Sequence, residues 1–136
     1  MVFNGTPIAG SDKTQGQLFW EDTFRDGSVK YTGRWDVVSG SRSLIPIPWA
    51  YDQHYSVSNH RDRTEDGYVR DNVGFTFDIA PDPFMGRTSL RIHPDGGPPG
   101  TAGCIGLIGN AAQLTDFEDR MMNYLDNHSS IPLWVR

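Results

Sequence analysis

The chain has 136 residues, of which 37% are hydrophobic, and its 12 basic and 17 acidic side chains give a net charge of −5. This length fits one domain, 1–136, with a single core, and the acidic balance without any basic run excludes the electrostatic footprint of a nucleic-acid-binding protein. The single cysteine excludes an internal disulfide and an all-cysteine metal site.

Fifteen glycines and nine prolines are spread along the chain, which is typical of short strands between turns, so we predict a mainly β fold. Residues 1–14 are a candidate for a loose N-terminal segment. The predicted strands follow in chain order: 17–21, 29–38, 51–58, 73–79, 88–93 and 131–135. Asp26-Gly27 is a turn signal between the first two strands, and the charged residues 59–72 are predicted as a solvated loop.

One principal helix is predicted, over residues 115–126. Thr115 and Glu118 have the spacing of a capping box, which marks the first turn of a helix. An apolar stripe at helical spacing supports the helix and is assigned to the core: Leu114, Phe117, Met121 and Leu125. Residues 131–135 carry a proline near their start, so we predict them as an edge strand.

His93 and Cys104 lie eleven positions apart, and the interval between them is made largely of glycine and proline. A thiol nucleophile needs a base to form its thiolate, and a short stiff loop can return that base to the thiol. Strand alternation places His93 on the polar face with Arg91, and Asp95 either orients the imidazole or forms an Asp-Gly turn. Against this interpretation, a lone cysteine is more often a buried hydrophobic residue than a catalyst.

The glycine before the cysteine adds to the catalytic interpretation. Gly103 leaves room for a substrate carbonyl near the backbone, and the N–H groups of Gly103 and Cys104 would stabilise an oxyanion there. The segment Leu90-Arg91-Ile92-His93, a loop, and then Thr101-Ala102-Gly103-Cys104-Ile105 resembles the active-site signature of the L,D-transpeptidases. That signature is a histidine ending a strand, a loop, and Ser/Thr-His-Gly-Cys before an apolar residue.

The resemblance covers residues 15–136 and is strongest at 88–108. It implies a YkuD-like β-sandwich or barrel with one principal helix after the catalytic cysteine. It also implies that Cys104 attacks the carbonyl before the terminal D-alanine of a peptidoglycan tetrapeptide stem. The resemblance further implies that His93 acts as base and then acid, and that the backbone carbonyl of Pro94, together with Asp95, holds the imidazole tautomer. Gly103 would donate its N–H group to the oxyanion, and Arg91 and Thr101 would contact the substrate.

Three departures from the family pattern shape the expected function. Ala102 replaces the family's second histidine, Gly106 stands where arginine or asparagine is common, and Pro94 replaces a glycine in a shorter loop. The short loop is similar to that of small, signal-less members that serve as interbacterial effectors or are carried by phages. We therefore expect L,D-carboxypeptidase activity or D-amino-acid exchange rather than 3-3 crosslinking, because a small acceptor needs no extended second groove.

The resemblance also implies where the protein works. The first residues lack a basic segment followed by an apolar run, so we expect synthesis in the cytoplasm without a signal peptide. Action at the periplasm or cell wall then requires delivery by a secretion system or a phage. The implied partners are tetrapeptide stems together with a delivery apparatus, an immunity protein or virion proteins.

Two further interpretations were weighed. The chain has four histidines, His54, His60, His93 and His128. They show no standard metal-ligand spacing, so the sequence predicts neither a metal site nor a cofactor. The rival to an enzyme is a non-catalytic wall-binding or virion structural module with a degenerate YkuD-like site. Ala102 favours this rival, whereas the presence of His93, Gly103 and Cys104 together opposes it.

Overall fold

A computed structural model describes residues 1–7, 14–40, 53–80, 90–97 and 104–135. A single 3-10 turn lies at Asp66–Tyr68. The strands and the helix follow in chain order: β1 Val2–Pro7, β2 Thr14–Thr23, β3 Val29–Ser39, β4 Gln53–Asp62, β5 Val69–Arg70, β6 Val73–Ala80, β7 Arg91–Pro94, β8 Ile105–Leu107, α1 Ala111–Leu125 and β9 Ile131–Val135. The prediction of a mainly β fold with one principal helix is confirmed for these residues.

Eight of the described strands close into a barrel. Their order is β4-β9-β1-β2-β3-β8-β7-β6, and pairing of β4 with β6 joins the two ends. The β1–β9 and β7–β8 pairs are parallel and the other pairs are antiparallel, while β5 pairs with β6 as a short outer strand. Closure gives each barrel strand two neighbours, so backbone hydrogen-bonding groups are satisfied without a long open edge.

The first and last described strands, β1 and β9, are neighbours in this barrel. Residues 1–14 were a candidate for a loose N-terminal segment, but they contribute β1, which pairs with β2 along its whole length. Phe3 of β1 is fully buried. The last strand, β9, was predicted at an edge, but it lies between β4 and β1. Pro132 is tolerated there because β1 pairs with β9 only at Trp134 and Val135.

The helix starts earlier than its predicted capping box. α1 begins at Ala111, and the box consists of Asn110 and Gln113: the Asn110 side chain accepts from the Gln113 N–H at 3.0 Å, and the Gln113 side chain accepts from the Asn110 N–H at 2.9 Å. Asn and Gln serve these positions as well as Thr and Glu do, so Thr115 lies inside the helix. The start at residue 115 was therefore wrong.

The apolar stripe of α1 packs as predicted. Leu114, Phe117 and Met121 are fully buried. The Phe117 ring packs edge-on against Trp35 of β3 at 5.1 Å and lies 6.0 Å from Phe75 of β6. This packing fixes α1 against the barrel. Because α1 follows β8 directly, it also anchors the chain after the candidate site.

No helix in the described part of the chain has the length and apolar composition of a membrane span.

Candidate active site

Two parallel strands, β7 and β8, determine where His93 lies relative to Cys104. In the β7–β8 pair, Ile92 lies opposite Ile105 and His93 lies opposite Gly106. Ile92 and Ile105 are both fully buried in the core. Because side chains alternate along a strand, His93 lies on the face opposite to that of Ile92. Cys104 lies in the bend that leads directly into β8, so the register places the imidazole beside the start of β8, next to the residue that carries the thiol.

The same register fixes their separation along the strands. Cys104 precedes Gly106, the residue opposite His93, by two residues and lies in the bend just before β8. For two extended residues, a strand rise of about 3.3 Å and a strand spacing of about 4.8 Å correspond to a Cα separation of about 8 Å. An imidazole and a thiol can span this distance with a hydrogen bond. Gly106 carries no side chain beside the imidazole, which leaves space on that side of the ring.

The imidazole is held in one tautomer by the backbone. His93 Nδ1 lies 2.7 Å from the carbonyl oxygen of Pro94. A carbonyl only accepts hydrogen bonds, so Nδ1 of the neutral ring carries the hydrogen and Nε2 has a free lone pair. Nε2 is thus the nitrogen that can accept a proton from a thiol. Pro94 is the residue whose carbonyl the family resemblance places in this role.

The surroundings of His93 favour its neutral form. Burial lowers the pKa of His93 below its ordinary value of 6.5, and the nearby Arg91 guanidinium lowers the pKa further, while the Pro94 carbonyl opposes this shift. The side chain is 5% exposed, so its charged form loses most of its hydration. A neutral imidazole is the form that a general base requires.

This burial predicts how stability depends on pH. The pKa of His93 is lower in the folded protein than in the unfolded chain, so below pH 6.5 the unfolded chain binds the extra proton. Stability from this group is complete above about pH 6.5 and is lost as the pH falls from there towards the folded pKa. We expect a loss of up to about 1.4 kcal/mol for each pH unit in that window. Thermal unfolding between pH 7.5 and 5 measures it.

The control for this dependence is His93→Gln, which cannot titrate. We expect its unfolding midpoint to fall less with acidification than that of the unchanged protein, whatever its stability at pH 7.5. Parallel curves for the two proteins would show that His93 does not take up a proton on unfolding.

Tyr68 forms a wall beside His93. The two rings meet edge-on, with centroids 4.9 Å apart. The Tyr68 hydroxyl accepts a hydrogen bond of 2.8 Å from Arg91 Nη1, and the Arg63 guanidinium lies 5.4 Å from the ring centroid. Tyr68 ends the 3-10 turn within 59–72, the segment predicted as a solvated loop. The prediction was wrong where strands form, because β4 extends to Asp62 and Val69–Arg70 form β5, whereas most of the other residues of this segment are exposed.

The Arg91 guanidinium interacts with two partners, Tyr68 and Asp78. Besides donating to the Tyr68 hydroxyl, Arg91 has its Nε atom 3.5 Å from an oxygen of Asp78 on β6. A substrate carboxylate would therefore have to compete with Asp78 for this guanidinium. Arg91 lies on the same face as His93, as predicted, and its contacts hold the polar wall of the site together.

The backbone after His93 is anchored on both sides. The Asp95 N–H donates to the carbonyl of Leu107 at 2.8 Å, which extends the β7–β8 pairing by one step. Arg70 of β5 donates to the carbonyls of Asp95 at 3.2 Å and Gly109 at 3.1 Å. Asp95 is itself buried. These contacts fix the Pro94 carbonyl, and through it the imidazole.

Two residues of the predicted site, Thr101 and Gly103, lie outside the described residues. Cys104 is described and is 8% exposed. Tyr68, Arg70 and Asp78 line or anchor the site but were not anticipated from the sequence. The only sequence signal for Tyr68 is an aromatic residue within a charged, turn-rich stretch.

The other described histidine side chains lie elsewhere. His60 pairs with Glu118 at 2.7 Å, and His128 stacks on Tyr124 with ring centroids 3.9 Å apart. His93 is therefore the histidine that the β7–β8 register associates with the thiol. A base with a fixed tautomer beside a thiol can activate that thiol as a nucleophile. Comparisons with family models, with curated proteins and with solved structures each find no match to this chain.

Proposed function

We propose that this protein is a YkuD-like cysteine acyltransferase that removes or exchanges the terminal D-alanine of peptidoglycan tetrapeptide stems. One observation carries the proposal: the parallel pairing of β7 with β8 brings His93 beside the strand that begins directly after Cys104, and His93 Nδ1 lies 2.7 Å from the Pro94 carbonyl oxygen. The signature-like residues around Cys104 supply the substrate class. The barrel with one helix after the cysteine is compatible with the fold that this family has.

The reaction begins with proton transfer from Cys104 Sγ to His93 Nε2. The thiolate attacks the carbonyl carbon of the residue before the terminal D-alanine, forming a C–S bond and an oxyanion. The N–H groups of Gly103 and Cys104 stabilise this oxyanion. As the intermediate collapses, the C–N bond breaks and the imidazolium returns its proton to the departing D-alanine amine. A thioester on Cys104 remains.

The acceptor completes the reaction. Water or the amine of a free D-amino acid attacks the thioester carbonyl and loses its proton to His93 Nε2, and the thiolate then leaves and is reprotonated. Water yields the tripeptide and a D-amino acid yields an exchanged tetrapeptide. A second stem would need an extended groove on the other side of the thioester. The short interval between His93 and Cys104 provides little chain from which to build one.

The structure of the site favours proton transfer to a neutral base. His93 is buried against Tyr68, so little water competes for Nε2, and the fixed tautomer removes the need to reorient the ring. A positioned general base contributes about 10²- to 10⁴-fold to a rate. The protein would meet its substrate at the cell wall after delivery by a secretion system or a phage.

A second candidate is a non-catalytic wall-binding or virion structural module. The observation that favours it is the low exposure of Cys104, 8%, since a nucleophile has to reach its substrate. Ala102, in place of the family's second histidine, points the same way. The ordered Pro94–His93 contact opposes it, because a purely structural module has no need for a buried imidazole with a fixed tautomer.

The deciding experiment incubates the purified protein with disaccharide-tetrapeptide, with and without an added D-amino acid, and analyses the products by mass spectrometry. We expect loss of one alanine, or its replacement by the added D-amino acid, as the main products. Cys104→Ala should lower both below detection, since no thioester can form. Dimers as the main product would overturn the acceptor assignment.

An acylation test separates the enzyme from the structural module. A carbapenem, which acylates L,D-transpeptidases, should add one covalent adduct to the intact protein and none to Cys104→Ala. If the unchanged protein neither forms this adduct nor converts the tetrapeptide under any condition, the structural module is the better description.

A further inference from the structure

Apart from the candidate active site, a cluster of side chains that can ligate a metal ion lies two strands away from β7 in the barrel order. It joins β4 to α1 through His60, Asp62 and Glu118, whose nearest ligand atoms all lie within 4.8 Å of one another. His60 Nε2 is 2.7 Å from Glu118 Oε2 and 3.7 Å from Asp62 Oδ1. Neither the Cys104 site nor the proposed reaction uses these residues.

The sequence spacing explains how one strand supplies two of these groups. His60 and Asp62 are two residues apart on β4, and the 3.7 Å between His60 Nε2 and Asp62 Oδ1 shows that both side chains reach the same place. The pairing of β4 with β6 shifts register between Ser58 and Arg61, so His60 itself lies within this irregularity. Bulges change the direction in which side chains point. Glu118 comes from α1, far away in sequence, so a search for ligand spacing could not find the cluster.

We propose that His60, Asp62 and Glu118 bind one divalent transition-metal ion, for which Zn²⁺ is the appropriate probe. Zinc bonds of about 2.1 Å at tetrahedral angles separate neighbouring ligand atoms by about 3.4 Å. The separations of 2.7 and 3.7 Å lie on either side of this value, and no two of the three ligand atoms are more than 4.8 Å apart, so side-chain rotations can bring all three atoms to one ion.

The exposure of the three groups fits an ion that enters from solvent. The side chains of His60 and Glu118 are 19% and 17% exposed, whereas that of Asp62 is 91% exposed. Two ligands are therefore held in place by their surroundings, and the third can rotate onto the ion. His60 is held by the Phe77 ring, with centroids 5.1 Å apart.

The ligand set also selects the class of metal. Two carboxylates neutralise the charge of a divalent ion, and a neutral imidazole suits Zn²⁺, Co²⁺ and Ni²⁺ better than Mg²⁺ or Ca²⁺, which prefer oxygen ligands. His60 lines a groove of about 390 Å³ together with Met122 and His128. A fourth ligand, water or a small anion, would therefore reach the ion from this groove.

The test uses Cys104→Ala as its background, so that the thiol cannot contribute a ligand. After treatment with EDTA, this protein is titrated with Zn²⁺ by calorimetry and with Co²⁺ by visible absorption. We expect one equivalent of Zn²⁺ to bind and Co²⁺ to develop visible bands that added Zn²⁺ removes. An excess of Zn²⁺ at 100 times its Kd should raise the unfolding midpoint by about 5 °C or more.

Three further variants assign the site. His60→Ala and Glu118→Gln should weaken Zn²⁺ binding at least 100-fold, while His128→Ala, in the same groove but outside the cluster, should bind as the background does. Absence of binding in the background protein would overturn the proposal and leave His60–Glu118 as a hydrogen-bonded pair. Unchanged binding in both His60→Ala and Glu118→Gln would overturn it too. Neither result depends on whether Cys104 forms a thioester.

Discussion

Replacing His93 by alanine is expected to lower the rate of D-alanine release by about 10³-fold or more. His93 Nε2 is the proposed acceptor for the thiol proton and the donor to the departing amine, so both halves of the reaction lose their proton carrier. Effects of residues that act as a unit do not add, so His93→Ala combined with Cys104→Ala should be no slower than Cys104→Ala alone. Initial rates with disaccharide-tetrapeptide measure both effects.

A measurement on the thiol itself supports the assignment without depending on substrate. The rate of alkylation by iodoacetamide should follow a pH profile whose midpoint lies below about 8.5, the ordinary value for a free thiol. In His93→Ala the midpoint should return to about 8.5, whereas His128→Ala should leave it unchanged. Identical profiles for the unchanged protein and His93→Ala would mean that His93 does not interact with the thiol.

Local signals in the sequence predicted the antiparallel pair of β2 and β3 well. The two segments alternate, and Asp26-Gly27 lies in the turn between them, where the Gly27 φ of +83° requires a residue without a side chain. The stripe of α1 was also correct, because burial of one helix face leaves a periodic pattern. Both features depend on residues that are close together in the chain.

Features set by distant pairing were harder to predict. The chain from 59 to 72 is charged, yet β4 extends to Asp62 because its last residues, Arg61 and Asp62, pair with β6. Tyr68 then packs on His93 from a turn 25 residues earlier in the sequence. Composition describes how polar such a segment is, but only the closed barrel determines which of its residues face the site.

The candidate site likewise combines features that local sequence signals predict with features that depend on distant pairing. The proposed pairing of His93 with Cys104 rests on a strand end and a short loop, which the sequence displays directly. The residues that hold the backbone around it, Arg70 and Gly96, act through contacts between β5 and the chain after β7. No periodic pattern signals such contacts, so they could not be predicted before the strands were paired.

Gly96 lies where the chain after His93 passes close to the backbone of the turn that carries Tyr68. A Cβ atom built at Gly96 would lie 2.2 Å from the carbonyl oxygen of Asp66 and 2.4 Å from that of Val69. Both are backbone atoms, which cannot rotate away as a side chain can. The chain after Asp95 is therefore able to pass this close to the turn that carries Tyr68 only because residue 96 is glycine.

Gly96→Ala is accordingly expected to lower the free energy of unfolding by about 3 kcal/mol, the upper end of the range for an added methyl group in a packed site. To relieve the overlap, the loop must move away from the turn, which displaces the Pro94 carbonyl and the imidazole bound to it. Activity should therefore fall at least 10-fold even at temperatures where the variant is fully folded, since small misplacements of a catalytic base are costly.

Gly67→Ala is the matched control. Gly67 follows Asp66 in the turn that Gly96 contacts, but a Cβ atom at Gly67 would meet nothing within 4 Å. This variant should keep both its stability and its rate of D-alanine release. Urea unfolding gives the stability of each variant, and initial rates at a temperature well below both midpoints give the activity. If Gly96→Ala unfolds at the same urea concentration as Gly67→Ala, the loop does not depend on this close approach. If Gly96→Ala is destabilised but retains the full rate, the loop does not position the imidazole.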